Sequence, residues 1–220
     1  MSRTRLLIAG AGGFGREVLA WAEAMPAEER DFEILGFLAR GEGPLLPDGD
    51  LPIVGDEDTF PFEDGDRVVV AVGDPDLRRR IVARLEGRVR FQTIVHPTAL
   101  VGPRCKVGEG SVICPGAVLT CDVEVGRHVI VNVGTTLGHD ARVEDFVTLS
   151  CHVDVTGHAV VETGALLGSS VSVLPRARVG AGARVGAGSV VFKKAPAGAI
   201  VHGNPARRVG SVAPAGSPVS

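Results

Sequence analysis

From Val101 to Val191 every sixth residue is Val, Leu or Ile: Val101, Val107, Ile113, Leu119, Val125, Val131, Leu137, Val143, Leu149, Val155, Val161, Leu167, Val173, Val179, Val185 and Val191. A second series runs two positions ahead of it, from Ala99 and Cys105 to Ala183 and Ser189, and holds only small or β-branched residues. Glycine often follows the aliphatic residue, at 102, 108, 126, 138, 168, 180 and 186. Six residues make one short strand and one corner, so three repeats close a triangular coil. Both series point inward, and a slip of one residue would turn the aliphatic row outward, which fixes the register. The glycines are expected to supply the backbone dihedrals that corners demand. The pattern predicts an all-β parallel β-helix over residues 96–210. Such a column can be mere scaffold, so function must come from what interrupts it.

Residues 1–95 do not follow this period. A strand at Leu6–Ala9 runs into Gly10-Ala-Gly12-Gly13-Phe14-Gly15-Arg16, then a helix at Glu17–Met25. Strands are expected at 32–38, 68–72 and 91–95, with a helix at 76–85, giving a Rossmann-like α/β unit. A strand, glycine turn and helix in this order is the context of a phosphate-binding loop. The candidate substrate-binding residues are Gly10, Gly12, Gly13, Phe14, Gly15, Arg16 and, after the third strand, Gly73. A dinucleotide site would place an acidic residue at the end of the second strand. Here that strand ends in Leu38-Ala39-Arg40, which argues against NAD and for a nucleotide-linked small molecule. A purely structural glycine turn is the alternative.

Composition narrows the class. Thirty glycines stand against eight Phe, one Trp and no Tyr, with a net charge of −3. Near-neutral charge and few stacking aromatics argue against a nucleic-acid partner. No apolar run reaches the length of a membrane span, and Leu6–Ala9 is too short for the core of a signal peptide. Four cysteines without a CxxC pair read as reduced thiols, and a cytoplasmic protein is expected. Residues 211–220, rich in Ser, Pro, Ala and Gly, read as a disordered tail.

Several segments then appear in a telling order: Gly10–Arg16, Ala71-Val-Gly-Asp-Pro-Asp-Leu-Arg78, Ile94-Val-His-Pro-Thr98, the hexad array, Asn132 with Gly138-His139-Asp140, and Gly203-Asn-Pro-Ala-Arg207. Together they resemble the bacterial nucleotide-sugar acyltransferases of the hexapeptide-repeat class. That resemblance implies a left-handed β-helix, a homotrimer, acetyl-CoA in a groove between columns, a nucleotide-sugar substrate on the N-terminal unit and a histidine base. Relatives often carry an acidic pair where this chain has Ala39 and Arg40, and a second histidine where it has Thr148.

Among the six histidines, His139 stands out. It sits two residues past Leu137, Asp140 follows it, and Gly157 lies eighteen residues on, one coil above. A neutral imidazole there could take a proton from an amine, and a backbone N–H of Gly157 could face the developing oxyanion. Asn132 is the candidate for placing the sugar amine. Gly157, Gly168, Gly186, Lys193, Lys194 and Arg207 are the candidate CoA contacts. The histidine spacings do not match the three-histidine zinc sites of similarly shaped columns, so no metal is expected, although ligands from two chains could still converge at a trimer seam. The expected activity is acetyl-CoA-dependent N-acetylation of a nucleotide-linked amino sugar by direct transfer. The alternatives are O-acetylation of a sialic-acid-like sugar and a non-enzymatic sugar-nucleotide-binding trimer.

Overall fold

A computed structural model describes residues 4–28, 30–40 and 51–212. The disordered tail expected at 211–220 falls almost wholly outside these residues.

The N-terminal unit is a parallel sheet built from β1 (Thr4–Ala9), β2 (Phe32–Leu38), β3 (Ile53–Gly55), β4 (Arg67–Val70) and β5 (Arg90–Phe91), with helices α1 (Gly13–Glu23) and α2 (Pro75–Leu85). The strand order is β3-β2-β1-β4-β5. The chain therefore leaves β1 toward one side and returns to pair β4 on the other, and the crevice above their carboxyl ends is where open α/β sheets take ligands. Leu6, Leu7, Ile8, Val68 and Val69 are fully buried, as expected for a sheet covered on both faces.

Residues 94–202 form the column. Short strands stack in parallel into three faces, each pairing with the one eighteen residues away, as Val112–Ile113 pairs with Ile130–Val131 and that with Thr148–Leu149, until the last coil, where Arg178 pairs with Lys194 and Arg184 with Ile200, sixteen residues on. We call the face that begins with Ile94–Val95 the first, that with Leu100–Val101 the second and that with Lys106–Val107 the third. A final antiparallel strand, Arg207–Ser211, closes the first face against Ala199–His202. Of the aliphatic series only Val101, which is 40% exposed, and half-buried Val107 escape burial, because no complete coil lies beneath them.

The glycines behave differently from expectation. The residues with positive φ recur every six positions from Arg104 to Gly188, two residues after the glycine-rich position, and nine of these fifteen are not glycine. Arg, Asp, His, Phe and Ser all serve there, so the corner tolerates side chains in the left-handed region. Glycine after the aliphatic residue has another cause: close approach of the next coil. A Cβ on Gly168 would lie 2.7 Å from the Ala187 nitrogen, and one on Gly138 2.8 Å from that of Gly157.

The N-terminal unit packs on the first face. Val112 and Ile130, which would otherwise point to solvent, are buried, and Cys114 and Ile94 join the apolar cluster of Leu6, Ile8, Val18 and Phe37. Arg78 of α2, 1% exposed, pins the junction. Its guanidinium donates to the carbonyls of His128, Val72 and Phe146 at 2.9, 2.6 and 2.9 Å and to Thr148 Oγ1 at 2.9 Å. Burial without a contacting carboxylate lowers its pKa to about 9.

Candidate active site

Two sets of candidate residues emerge, on different corners. His139 follows the second-face strand Thr136–Leu137 and so stands where the second face turns into the third. Asp140, the next residue, has φ +59°, which directs its carboxylate back to the imidazole: His139 Nδ1–H donates to Asp140 Oδ2 at 2.8 Å. A carboxylate can only accept, so this contact fixes the proton on Nδ1 and leaves Nε2 with a free lone pair. Nε2 lies over Gly157, where a Cβ would approach it to 2.6 Å. Any other residue at 157 would push the ring aside. The Gly157 N–H meets no backbone carbonyl among the described residues. Both side chains are open to solvent, His139 at 58% and Asp140 at 46%.

The same corner continues upward in steps of eighteen, from His139 through Gly157 and Pro175 to Lys193. At about 4.8 Å per stacked strand, Lys193 stands roughly 14 Å along the column from His139. There, Phe192, Lys193, Lys194, Pro205, Ala206 and Arg207 enclose a cleft of about 330 Å³. At the foot of the corner a wider groove of about 690 Å³ runs beside Asp140 and Arg142.

Asn132, Gly168 and Gly186 belong to the corner between the first and second faces, each following a first-face strand. Asn132 and His139 thus occupy opposite ends of one strand, Thr136–Leu137 with its flanking turns, and the fold does not bring them together within one chain. The Asn132 side chain accepts from the Val133 N–H at 2.7 Å. The space beside Gly186 is taken by the His202 ring.

The glycine loop lies against the Asn132 corner: Ala11 and Phe14 pack in one cluster with Cys114 and Val133. Gly10 has φ +111° and sits where a Cβ would come within 2.8 Å of the Ala71 carbonyl oxygen, while a Cβ on Gly15 would overlap the Gly10 carbonyl. Those two glycines serve folding. Gly12, Gly13 and Gly73 face open space instead, with nothing among the described residues within 4 Å of an added Cβ. Gly12 caps α1 without a side-chain hydrogen bond, and the first turn holds no acidic residue. Its N–H groups and the positive end of the helix dipole are therefore free for an anion. Arg16 is exposed on that turn, and Phe14 rests edge-on against Trp21 at 5.8 Å.

A cavity of about 330 Å³ opens at the carboxyl ends of β1 and β2, lined by Gly10, Ala39, Arg40, Glu57, Arg80 and Arg84 among others. Glu57 escaped the sequence reading. It is 5% exposed and its Oε1 accepts from Arg84 at 2.6 Å, with Arg40 at 3.5 Å. The carboxylate absent from the end of β2 is thus supplied by the segment after β3, a substitution visible only once the chain is folded. Thr148, in place of a second histidine, is buried at the junction and donates to the Gly73 carbonyl at 2.7 Å, so it braces the candidate substrate loop and lies away from His139. The four cysteines are free, and burial pushes the Cys114 thiol upward in pKa, which leaves it inert. Among the described residues no helix is long and apolar enough to cross a membrane.

Comparison with known proteins agrees with this layout. Residues 5–85 match the family model of the PglD N-terminal domain. GDP-perosamine N-acetyltransferase of Escherichia coli O157:H7 is 33% identical over 81 residues, a match spanning 36% of this chain and 36% of that protein. The chain therefore aligns with about a third of that curated relative's length. Structural likeness runs further. The acetyltransferase domain of PglB from Neisseria gonorrhoeae FA1090, solved with acetyl coenzyme A, superposes with a TM-score of 0.83 at 28% identity, over 94% of this chain and 100% of that one. PerB from Caulobacter crescentus, solved with CoA and GDP-perosamine, gives 0.82 at 27% identity over 95% and 99%. An N-terminal unit matching the PglD type, joined to a hexapeptide column, with this likeness over nearly the whole chain, makes the protein similar throughout to the solved hexapeptide-repeat sugar acetyltransferases.

Proposed function

We propose that this chain transfers an acetyl group from acetyl-CoA to the amino group of a nucleotide-linked amino sugar. The observation that carries the reading is the His139–Asp140 pair, with Nε2 free above a residue that has no side chain. An amine nucleophile reaches Nε2 from the open groove and loses its proton there as it attacks the thioester carbon. The Nδ1–H bond to Asp140 stabilises the imidazolium that forms. The free N–H of Gly157 faces the oxygen on which negative charge develops, and CoA thiolate leaves. The column from His139 up to Lys193 suits an extended thioester arm, with Lys193, Lys194 and Arg207 on the CoA phosphates.

The N-terminal unit, residues 1–95, would hold the nucleotide sugar. Its phosphates meet the α1 N-terminus at Gly12 and Gly13, and its base enters the cavity of Glu57 and Arg40. Since Asn132 and the glycine loop stand on one corner and His139 on the next, a homotrimer that sets the first corner of one column beside the second corner of its neighbour completes the site. The PglB and PerB structures, which hold acetyl-CoA, or CoA with GDP-perosamine, support both ligands. Calorimetry with CoA tests the donor half: saturable binding is expected, weakened when Lys193 and Lys194 are both replaced by Ala. A chain that binds nucleotide sugars and ignores CoA would be a scaffold and not an enzyme.

A further inference from the structure

We infer that His139, Asp140 and His158 form a binding site for a divalent first-row transition ion, Zn2+ being the probe. One ligand atom from each residue lies within 4.8 Å of the other two. Asp140 Oδ2 is 2.8 Å from His139 Nδ1 and 3.7 Å from His158 Nε2. The two rings meet edge to face with centroids 5.0 Å apart.

The register of the column creates this convergence. His158 is eighteen residues beyond Asp140, so the two occupy stacked corners one coil apart. Both have the same left-handed backbone, φ +59° and +58°, and hence send their side chains out in the same direction. His139 joins from the neighbouring position because Gly157 leaves room for its ring.

Charge supports the assignment. One coil below, Asp122 occupies the equivalent corner and is neutralised by a two-pronged ion pair with Arg104 at 2.6 Å. Asp140 has no such cation: its partners among the described residues are the two imidazoles. A carboxylate flanked by two imidazoles, open to water on the remaining side, is a donor set suited to Zn2+, Co2+ or Ni2+ with water in the open positions. A small rotation of the rings separates the atoms to ligand spacing.

Occupancy has a consequence for catalysis, which rests on the function proposed above. A metal ion on Nδ1 of His139 forces the ring's remaining proton onto Nε2. The atom that accepts a proton in the proposed transfer then carries one, so metal binding and acetyl transfer exclude each other.

The full chain, titrated with Zn2+ by calorimetry and with Co2+ by visible absorption, should bind one ion per chain. His158→Asn keeps a residue type that tolerates the left-handed corner and should weaken that affinity at least tenfold. Asp140→Asn provides a second variant with the same expectation. Undetectable binding, or affinity unchanged in both folded variants, overturns the site. Where thiol release from acetyl-CoA is measurable, Zn2+ should suppress it reversibly, with chelator restoring it, at concentrations that track the binding constant. Saturating Zn2+ with undiminished turnover overturns the exclusion. A chain without transferase activity that still binds the ion through His158 would refute the proposed function and leave the metal site standing.

Discussion

The column and the N-terminal unit bury their apolar residues by opposite routes. In the column almost every inward side chain meets its own equivalent eighteen residues away, so the core is a ladder of aliphatic on aliphatic, as Leu119 lies on Leu137 and Leu137 on Val155. In the α/β unit, β1 pairs with β2 on one side and β4 on the other, and Leu6 meets Ile34 and Arg67. One architecture follows from a local rule repeated, the other from a topology in which no position predicts its partner. The proposed chemistry sits where either regularity lapses: at the histidine-bearing corners of the column, and at the glycine turn of the unit.

The largest expected effect is in the column's interior. Leu149→Ala removes a fully buried rung between two others and should cost about 2–5 kcal/mol. Repeat columns spread such a loss to neighbouring coils, so hydrogen exchange should accelerate around residues 131 and 167 before it does in β1. Exchange rising first in β1 would show that the α/β unit, and not the repeat, is the weaker partner.

Next comes the junction, where His128 is 1% exposed, both ring nitrogens lack hydrogen-bond partners among the described residues, and the ring stacks on Phe146 at 5.2 Å. Burial lowers its pKa from 6.5 to about 4. The unfolded chain therefore binds the extra proton between those two values and the folded chain does not, so stability falls as pH drops from about 6.5 toward 4, by up to about 3 kcal/mol. Denaturant titrations at pH 7 and pH 5 measure the difference. His128→Asn should flatten that pH dependence whatever its effect at pH 7, and an unchanged slope would assign the acid sensitivity to other groups.

The smallest effect separates the two kinds of glycine. Gly126→Ala places a Cβ 2.7 Å from the Asp145 nitrogen and should cost about 1–3 kcal/mol. Gly12→Ala meets nothing within 4 Å and should leave the melting temperature almost unchanged while weakening nucleotide-sugar binding. Equal stability losses would erase the distinction between close-approach glycines and open ones.

The hexad made the column readable from the sequence alone, because one aliphatic residue in six has a single physical meaning in a coil of eighteen. The corner conformation was not readable in the same way. Glycine advertises backbone freedom, yet at 102, 138 or 168 it answers to a neighbouring coil, while the left-handed positions are held by Asp140, His152 and Phe146. His139 and Gly157 could be placed together because they differ by one coil. Arg78, Glu57 and Thr148 could not, since each acquires its partners only when α2, the segment after β3 and the first face of the column dock.

In the proposed transfer the imidazole above Gly157 draws a proton from a sugar amine. The most direct test of that step is the release of CoA thiol when acetyl-CoA is mixed with a panel of nucleotide-linked amino sugars, comparing the native chain with His139→Ala. At least one amino sugar should support turnover in the native protein, with the variant slower by about 100-fold or more at undiminished CoA affinity. A variant that turns over at the native rate would contradict the account.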